Sequence, residues 1–297
     1  MKNIVLQILL FSILSSCQSE DDKYLKTNNY EVSPSSLIKA IRDKNDKAFK
    51  IILSQGVDPN TRNSTGATPL LLTLLESNDV QSMLLLNEAG IKVDYAVVIK
   101  DMHWSPLHYA AKTAFFDAKM LPVLKLLLSK VKDVNILATY IGSKKNVLVN
   151  VLEQPSAKNL NERTAEIVKL LVDSGANPFT DTVNREASFV SYVTHKDTNT
   201  ELLISMLKSR HFENSFKTKK GMSVLPLLVV WGKLDEKLVD FLISKNFLQD
   251  EHLGCSTLDL LELQQKTSNK IQPILIDKLV KAGLVDRNAK RCNESLR

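Results

Sequence analysis

A five-residue phrase recurs along the chain: Gly66-Ala67-Thr68-Pro69-Leu70, His103-Trp104-Ser105-Pro106-Leu107, Gly221-Met222-Ser223-Val224-Leu225 and Gly254-Cys255-Ser256-Thr257-Leu258. Aligned on its Thr or Ser, with looser matches included, it falls at positions 35, 68, 105, 146, 187, 223 and 256. The steps are 33, 37, 41, 41, 36 and 33 residues. Near-regular spacing of this length predicts a stack of about seven units, each burying its apolar face only against its neighbours.

The phrase has a mechanical reading. Thr68 and Ser105 suit the cap of a helix start, and Pro69 and Pro106 suit the first helical position, where a missing amide costs nothing. A second apolar stretch follows each phrase and ends in a helix stop, as in Met83-Leu84-Leu85-Leu86-Asn87-Glu88-Ala89-Gly90. Glycine there supplies a left-handed cap.

Short helix, turn, longer helix, glycine stop and polar loop resemble the ankyrin-repeat family. Ser105-Pro106-Leu107-His108-Tyr109-Ala110-Ala111 nearly spells that family's Thr-Pro-Leu-His-x-Ala-Ala, and Gln55-Gly56-Val57-Asp58-Pro59-Asn60 and Ser174-Gly175-Ala176-Asn177-Pro178 match its repeat ending. The resemblance implies an all-α ankyrin-repeat solenoid of about seven helix-turn-helix units over residues 35–285, with residues 286–297 as a C-terminal tail. Units four and five depart from the phrase, with Asn146-Val147-Leu148 and Ala187-Ser188-Phe189 in place of Thr-Pro-Leu. An apolar content of 44%, spread evenly, suits one continuous array without an internal linker. The opening helix of the first unit, around residues 37–44, is polar enough to face water as a terminal cap.

The N-terminus has a different character. Lys2 precedes an apolar run from Ile4 to Leu14, too short for the roughly 20 residues a membrane-spanning helix needs, so residues 1–16 read as a signal peptide. The run closes on Leu14-Ser15-Ser16-Cys17, which is similar to the bacterial lipobox. That resemblance implies cleavage before Cys17 and acylation of its thiol, fixing the chain to a membrane. Gln18 after the cysteine, rather than Asp, implies outer-membrane sorting by the enteric rule, facing the periplasm. Glu20-Asp21-Asp22 weakly resembles signals that expose lipoproteins on the surface of some Bacteroidota, although a solvated linker explains it as well. Residues 17–34 are polar and unpatterned and read as a flexible tether, with a reach of roughly 20 to 25 Å.

Charge and motifs narrow the function. Without residues 1–16 the chain carries 38 Lys+Arg against 33 Asp+Glu, a net of +5 with the signs interleaved, which argues against nucleic acid as a partner. The five histidines form no metal-ligand spacing. His108 takes the family's structural position, where the ring bonds the neighbouring loop. Ser36-Leu37-Ile38-Lys39 and Ser205-Met206-Leu207-Lys208 match a nucleophile motif whose companion motifs are missing. No cofactor, small-molecule substrate or catalytic residue is expected. Cys255 and Cys292 remain as a candidate disulfide, with two free thiols as the alternative.

The expectation is therefore protein recognition. In ankyrin arrays the loop tips and short helices line a concave surface. Trp104 precedes the Ser of the third phrase, and the loop leading to it is long and apolar, which nominates Tyr95, Lys100, Asp101, Met102, His103 and Trp104 as partner contacts. Apparent insertions between the helices of units three and four, at residues 115–119 and 153–159, add Phe115 and Phe116. Three roles fit: an envelope adaptor, an immunity protein neutralising a periplasm-acting toxin, or an oxidative-stress accessory protein resting on Cys255 and Cys292.

Overall fold

The computed structural model describes residues 19–64, 66–74, 80–93, 97–99, 102–140, 143–152, 162–180, 187–194, 198–248, 256–268 and 272–284. They fall into two compact units, divided between Asp101 and Met102.

In the first unit, α1 (Glu20–Thr27) precedes two helix pairs, α2 (Pro34–Arg42) with α3 (Asp46–Ser54) and α4 (Pro69–Leu72) with α5 (Val80–Glu88). A strand, β1 (Val97–Ile99), follows. Pro34 and Pro69 stand at the first helical positions, behind Ser33 and Thr68, whose hydroxyls accept from the amides of Ser36 and Leu71. The cap of the first repeat is thus Ser33, two residues before the Ser35 that phrase alignment selects. Leu37, Ile41, Phe49, Ile52, Leu70 and Leu71 are buried where α2 meets α3 and α4.

Helix α1 corrects the expectation of a flexible tether over residues 17–34. Ser19 Oγ accepts from the Asp22 amide, and Glu20, Asp21 and Asp22 complement the positive helix end. Leu25 and Tyr30 are buried, and α1 packs on α3. Tyr24 Oη donates to Asn45 Oδ1 at 3.0 Å, Tyr30 Oη to Asp43 Oδ2 at 2.7 Å, and Gln55 Nε2 to Asp22 Oδ1 at 3.1 Å. Lys47 Nζ lies 4.3 Å from the centroid of the Tyr24 ring. A helix with only two apolar residues, Tyr24 and Leu25, cannot build a core, but it can complete one already present. The water-facing end of the array is therefore α1, rather than α2, most of which is buried.

The second unit holds five helix pairs. These are α6 (Pro106–Phe116) with α7 (Leu121–Lys130), α8 (Val147–Leu152) with α9 (Glu162–Asp173), α10 (Ser188–Val193) with α11 (Thr200–Leu207), α12 (Val224–Val230) with α13 (Glu236–Ser244), and α14 (Thr257–Ser268) with α15 (Pro273–Lys281). Even-numbered helices pack on one another in an inner row, and odd-numbered helices form an outer row. A 3-10 turn, Ala118–Met120, joins α6 to α7. The insertion expected around Phe115 is therefore a longer first helix and a tight turn, not a loop.

The loops interlock through the Asn of the repeat ending. Within the first unit, Asn60 Oδ1 accepts from the Lys92 amide at 2.6 Å. Within the second, Asn135 Oδ1 accepts from the Asn177 amide at 2.6 Å, and Asn135 Nδ2 donates to the Gly175 carbonyl at 3.2 Å. Gly175, at φ +99°, adopts a left-handed backbone that other residues reach only with strain, and the end of the Arg210 side chain lies over it.

Departures from the phrase are repaired locally. In unit four Asn146 replaces the capping Thr, its Oδ1 accepting from the Val149 amide at 2.9 Å. In unit five Phe189 takes the Leu position, fully buried within an aromatic cluster whose hub is Phe179. Its ring centroid lies 5.1 Å from Phe179 and 6.2 Å from Phe216, and Phe179 also meets Phe212 at 5.0 Å. Contacts continue from Phe212 to Phe247 and on to Phe241.

Candidate interaction surface

In the second unit three short strands form an antiparallel sheet: β2 (Met102–Trp104), β3 (Ala138–Tyr140) and β4 (Ser143–Lys145). His103 pairs with Thr139, and Thr139 with Lys144. Strand β2 runs into Ser105, which caps α6, and β4 runs into Asn146, which caps α8. The backbone of Met102, His103 and Trp104 is thus held at the edge of the array. Tyr95, Lys100 and Asp101, together with Cys17, Cys255 and Cys292, lie outside the described residues.

His108 fixes the base of this sheet. The residue is 1% exposed, with Nδ1 2.7 Å from Ser105 Oγ and Nε2 3.1 Å from the Lys145 carbonyl. A carbonyl can only accept, so Nε2 carries the proton and Nδ1 accepts from the Ser105 hydroxyl. Burial pushes the imidazole pKa down from its ordinary 6.5 to about 4, against the opposing pull of the Lys145 carbonyl. The neutral ring is a clamp between repeat three and the strand of repeat four.

Phe115 does not belong with the partner contacts. Its side chain is buried on the inward face of α6. Phe116, one position on, is 58% exposed and meets the Phe115 ring edge-on at 5.1 Å. Arg163 Nη1 donates to the carbonyls of both, 3.4 and 3.3 Å away, securing the end of α6. Trp231, at the end of α12, is 45% exposed and so does not fill core.

The inner row carries a feature the phrase pattern hides. Tyr109, Asn150 and Ser191 each occupy the fourth position of successive inner helices, and each is half-exposed. The same position is buried Leu227 in α12 and buried Leu260 in α14. A polar line thus crosses repeats three to five and stops at six. It is readable in the sequence only once the helix starts are known to the residue.

On the outer row an open groove of about 600 Å³ lies between α9, α11 and α13. Lys169 pairs with Asp173, and Lys237 Nζ lies 2.6 Å from Glu201 Oε1, holding that carboxyl below its usual range. Such solvated pairs can exchange partners freely and contribute little to stability. Among the described residues no group of three His, Cys, Asp or Glu side chains is placed to hold a metal ion. Among them, too, no helix is long and apolar enough to cross a membrane.

Paired helices, interlocked loops and edge strands define an ankyrin-repeat fold. Residues 37–138 match the family model for ankyrin repeats, in three copies. An ankyrin repeat protein from Leishmania major is similar at 16% identity and TM-score 0.51, over 84% of this chain and 97% of that one. An ankyrin repeat domain from Acinetobacter baumannii is similar at 18% identity and TM-score 0.49, over 83% and 97%. The ankyrin repeat domain of Bcl-3, a member of the IkappaB family, gives 17% and 0.49, over 74% and 89%. At 16% identity the likeness to the Leishmania major protein is one of fold. No curated protein matches the sequence.

Proposed function

We propose that this chain is an exported, lipid-anchored adaptor of the bacterial envelope that binds a partner protein through the inner face and edge strands of its ankyrin repeats. The observation that carries the reading is the half-exposed row Tyr109, Asn150 and Ser191 in the unit that also presents strand β2. Ankyrin repeats in general act in protein–protein interaction. A surface built on packed helices loses little entropy on association, so modest contacts suffice for useful affinity. The lipobox ending in Cys17 supports the anchor and the envelope location.

Affinity capture from envelope extracts tests the surface. The Trp104→Ala, Tyr109→Ala double variant is expected to bind its partner at least about tenfold more weakly than wild type, the scale of losing one hot spot. Equal recovery of the same partner by both forms would remove this surface as the site.

A further inference from the structure

We propose that the first ankyrin repeat is held directly against the bilayer, with helix α1 as a rigid foot between the acylated cysteine and the array. This rests on the lipid-anchor reading above and goes beyond it in specifying where the folded protein sits.

Chain length confines the start of the fold. Helix α1 begins at Glu20, and its capping residue is Ser19. Between Cys17 and Glu20 stand only Gln18 and Ser19. At about 3.6 Å per extended residue, three steps span at most about 11 Å. Acyl chains on Cys17 place that residue at the headgroup level, so the start of α1 cannot leave the interface. A flexible segment of residues 17–34 would have given at least twice that reach.

The foot is rigid because α1 is tied at both ends. Tyr24 and Gln55 bond it to the flanks of α3, and Leu25 is 3% exposed. Beyond its C-terminal end, Tyr30 bonds Asp43, and Lys39 Nζ donates to the Asn29 carbonyl at 3.0 Å. Motion of α1 therefore carries α2 and α3 with it. The end of the helix nearest the lipid presents Glu20, Asp21 and Asp22, with exposed Lys23 beside them. These charges keep the foot at the surface and out of the hydrocarbon. A partner that engages the first repeats must then itself reach the membrane surface.

The test uses the full-length acylated protein in phosphatidylcholine vesicles doped with a lipid bearing a gadolinium chelate on its headgroup. A spin label is placed at Lys23→Cys, with Cys255 and Cys292 replaced by Ser. A second form carries an insert of about twenty Gly/Ser residues between Ser19 and Glu20, which adds a reach of roughly 25 Å. Relaxation of the label by the headgroup metal is expected to be at least about tenfold stronger in the native-length form, given its steep distance dependence. Equal relaxation in both forms, with Cys17 shown by mass to be acylated, would overturn the foot and leave the anchor standing. An unacylated Cys17 would overturn both.

Discussion

Phe189→Ala is expected to lower the unfolding free energy by about 3–5 kcal/mol, the range for emptying a fully buried aromatic site. Phe189 stands where the repeat phrase would place leucine, and the rings of Phe179 and Phe216 pack against it. Six of the ten phenylalanines of the chain join this cluster or its continuation. Backbone ties at both ends of α10 limit how far the walls can collapse, since the Phe189 amide bonds the Pro178 carbonyl and Tyr192 Oη accepts from the Asn199 amide. Most of the cavity term therefore remains. Denaturant unfolding followed by circular dichroism measures the loss. A change below about 1 kcal/mol would mean the cluster closes over the gap and is not the organising contact of repeat five.

Acid is expected to unfold the second unit through His108. The imidazole titrates near its ordinary 6.5 when unfolded and at about 4 when buried. Between those values the unfolded chain binds a proton that the folded chain does not, so lowering the pH favours unfolding. Stability from the neutral ring is present in full above pH 6.5 and declines as the pH falls toward 4. The difference corresponds to roughly 3 kcal/mol across the window. His108→Gln lacks the titration, so its unfolding midpoint should shift less than that of wild type between pH 7 and pH 4.5. Parallel shifts in the two proteins would assign acid sensitivity to other groups.

Repetition made the fold legible because it reports a local cause. Side chains of Ser33, Thr68, Ser105, Asn146 and Ser256 cap helix starts, and the seven starts lie at or within two residues of the expected positions. Two features escaped for physical reasons. Helix α1 has too few apolar residues to signal itself, and its stability comes from α3, which is distant in pattern though near in space. The phenylalanine cluster gathers residues up to 68 positions apart, from Phe179 to Phe247, with no shared period.

The surface was less legible than the scaffold. Eroded phrases in units four and five look from sequence like places where function displaces structure. At Asn146 and Phe189 they are substitutions of one structural solution for another. Phe115 and Phe116 are adjacent in sequence yet have opposite fates, because successive helical residues turn through about 100°. Candidate contacts are better sought at half-exposed positions of the inner row, where a side chain is held by the scaffold without being consumed by it.

The proposed lipid anchor is tested most directly by the mass of the N-terminal peptide of the protein isolated from membranes of its native host. The expected result is a chain beginning at Cys17 with a diacylglyceryl group on its sulfur, and a Cys17→Ser form that leaves the membrane fraction. A membrane-associated chain with residues 1–16 intact, or an unmodified Cys17, would contradict it.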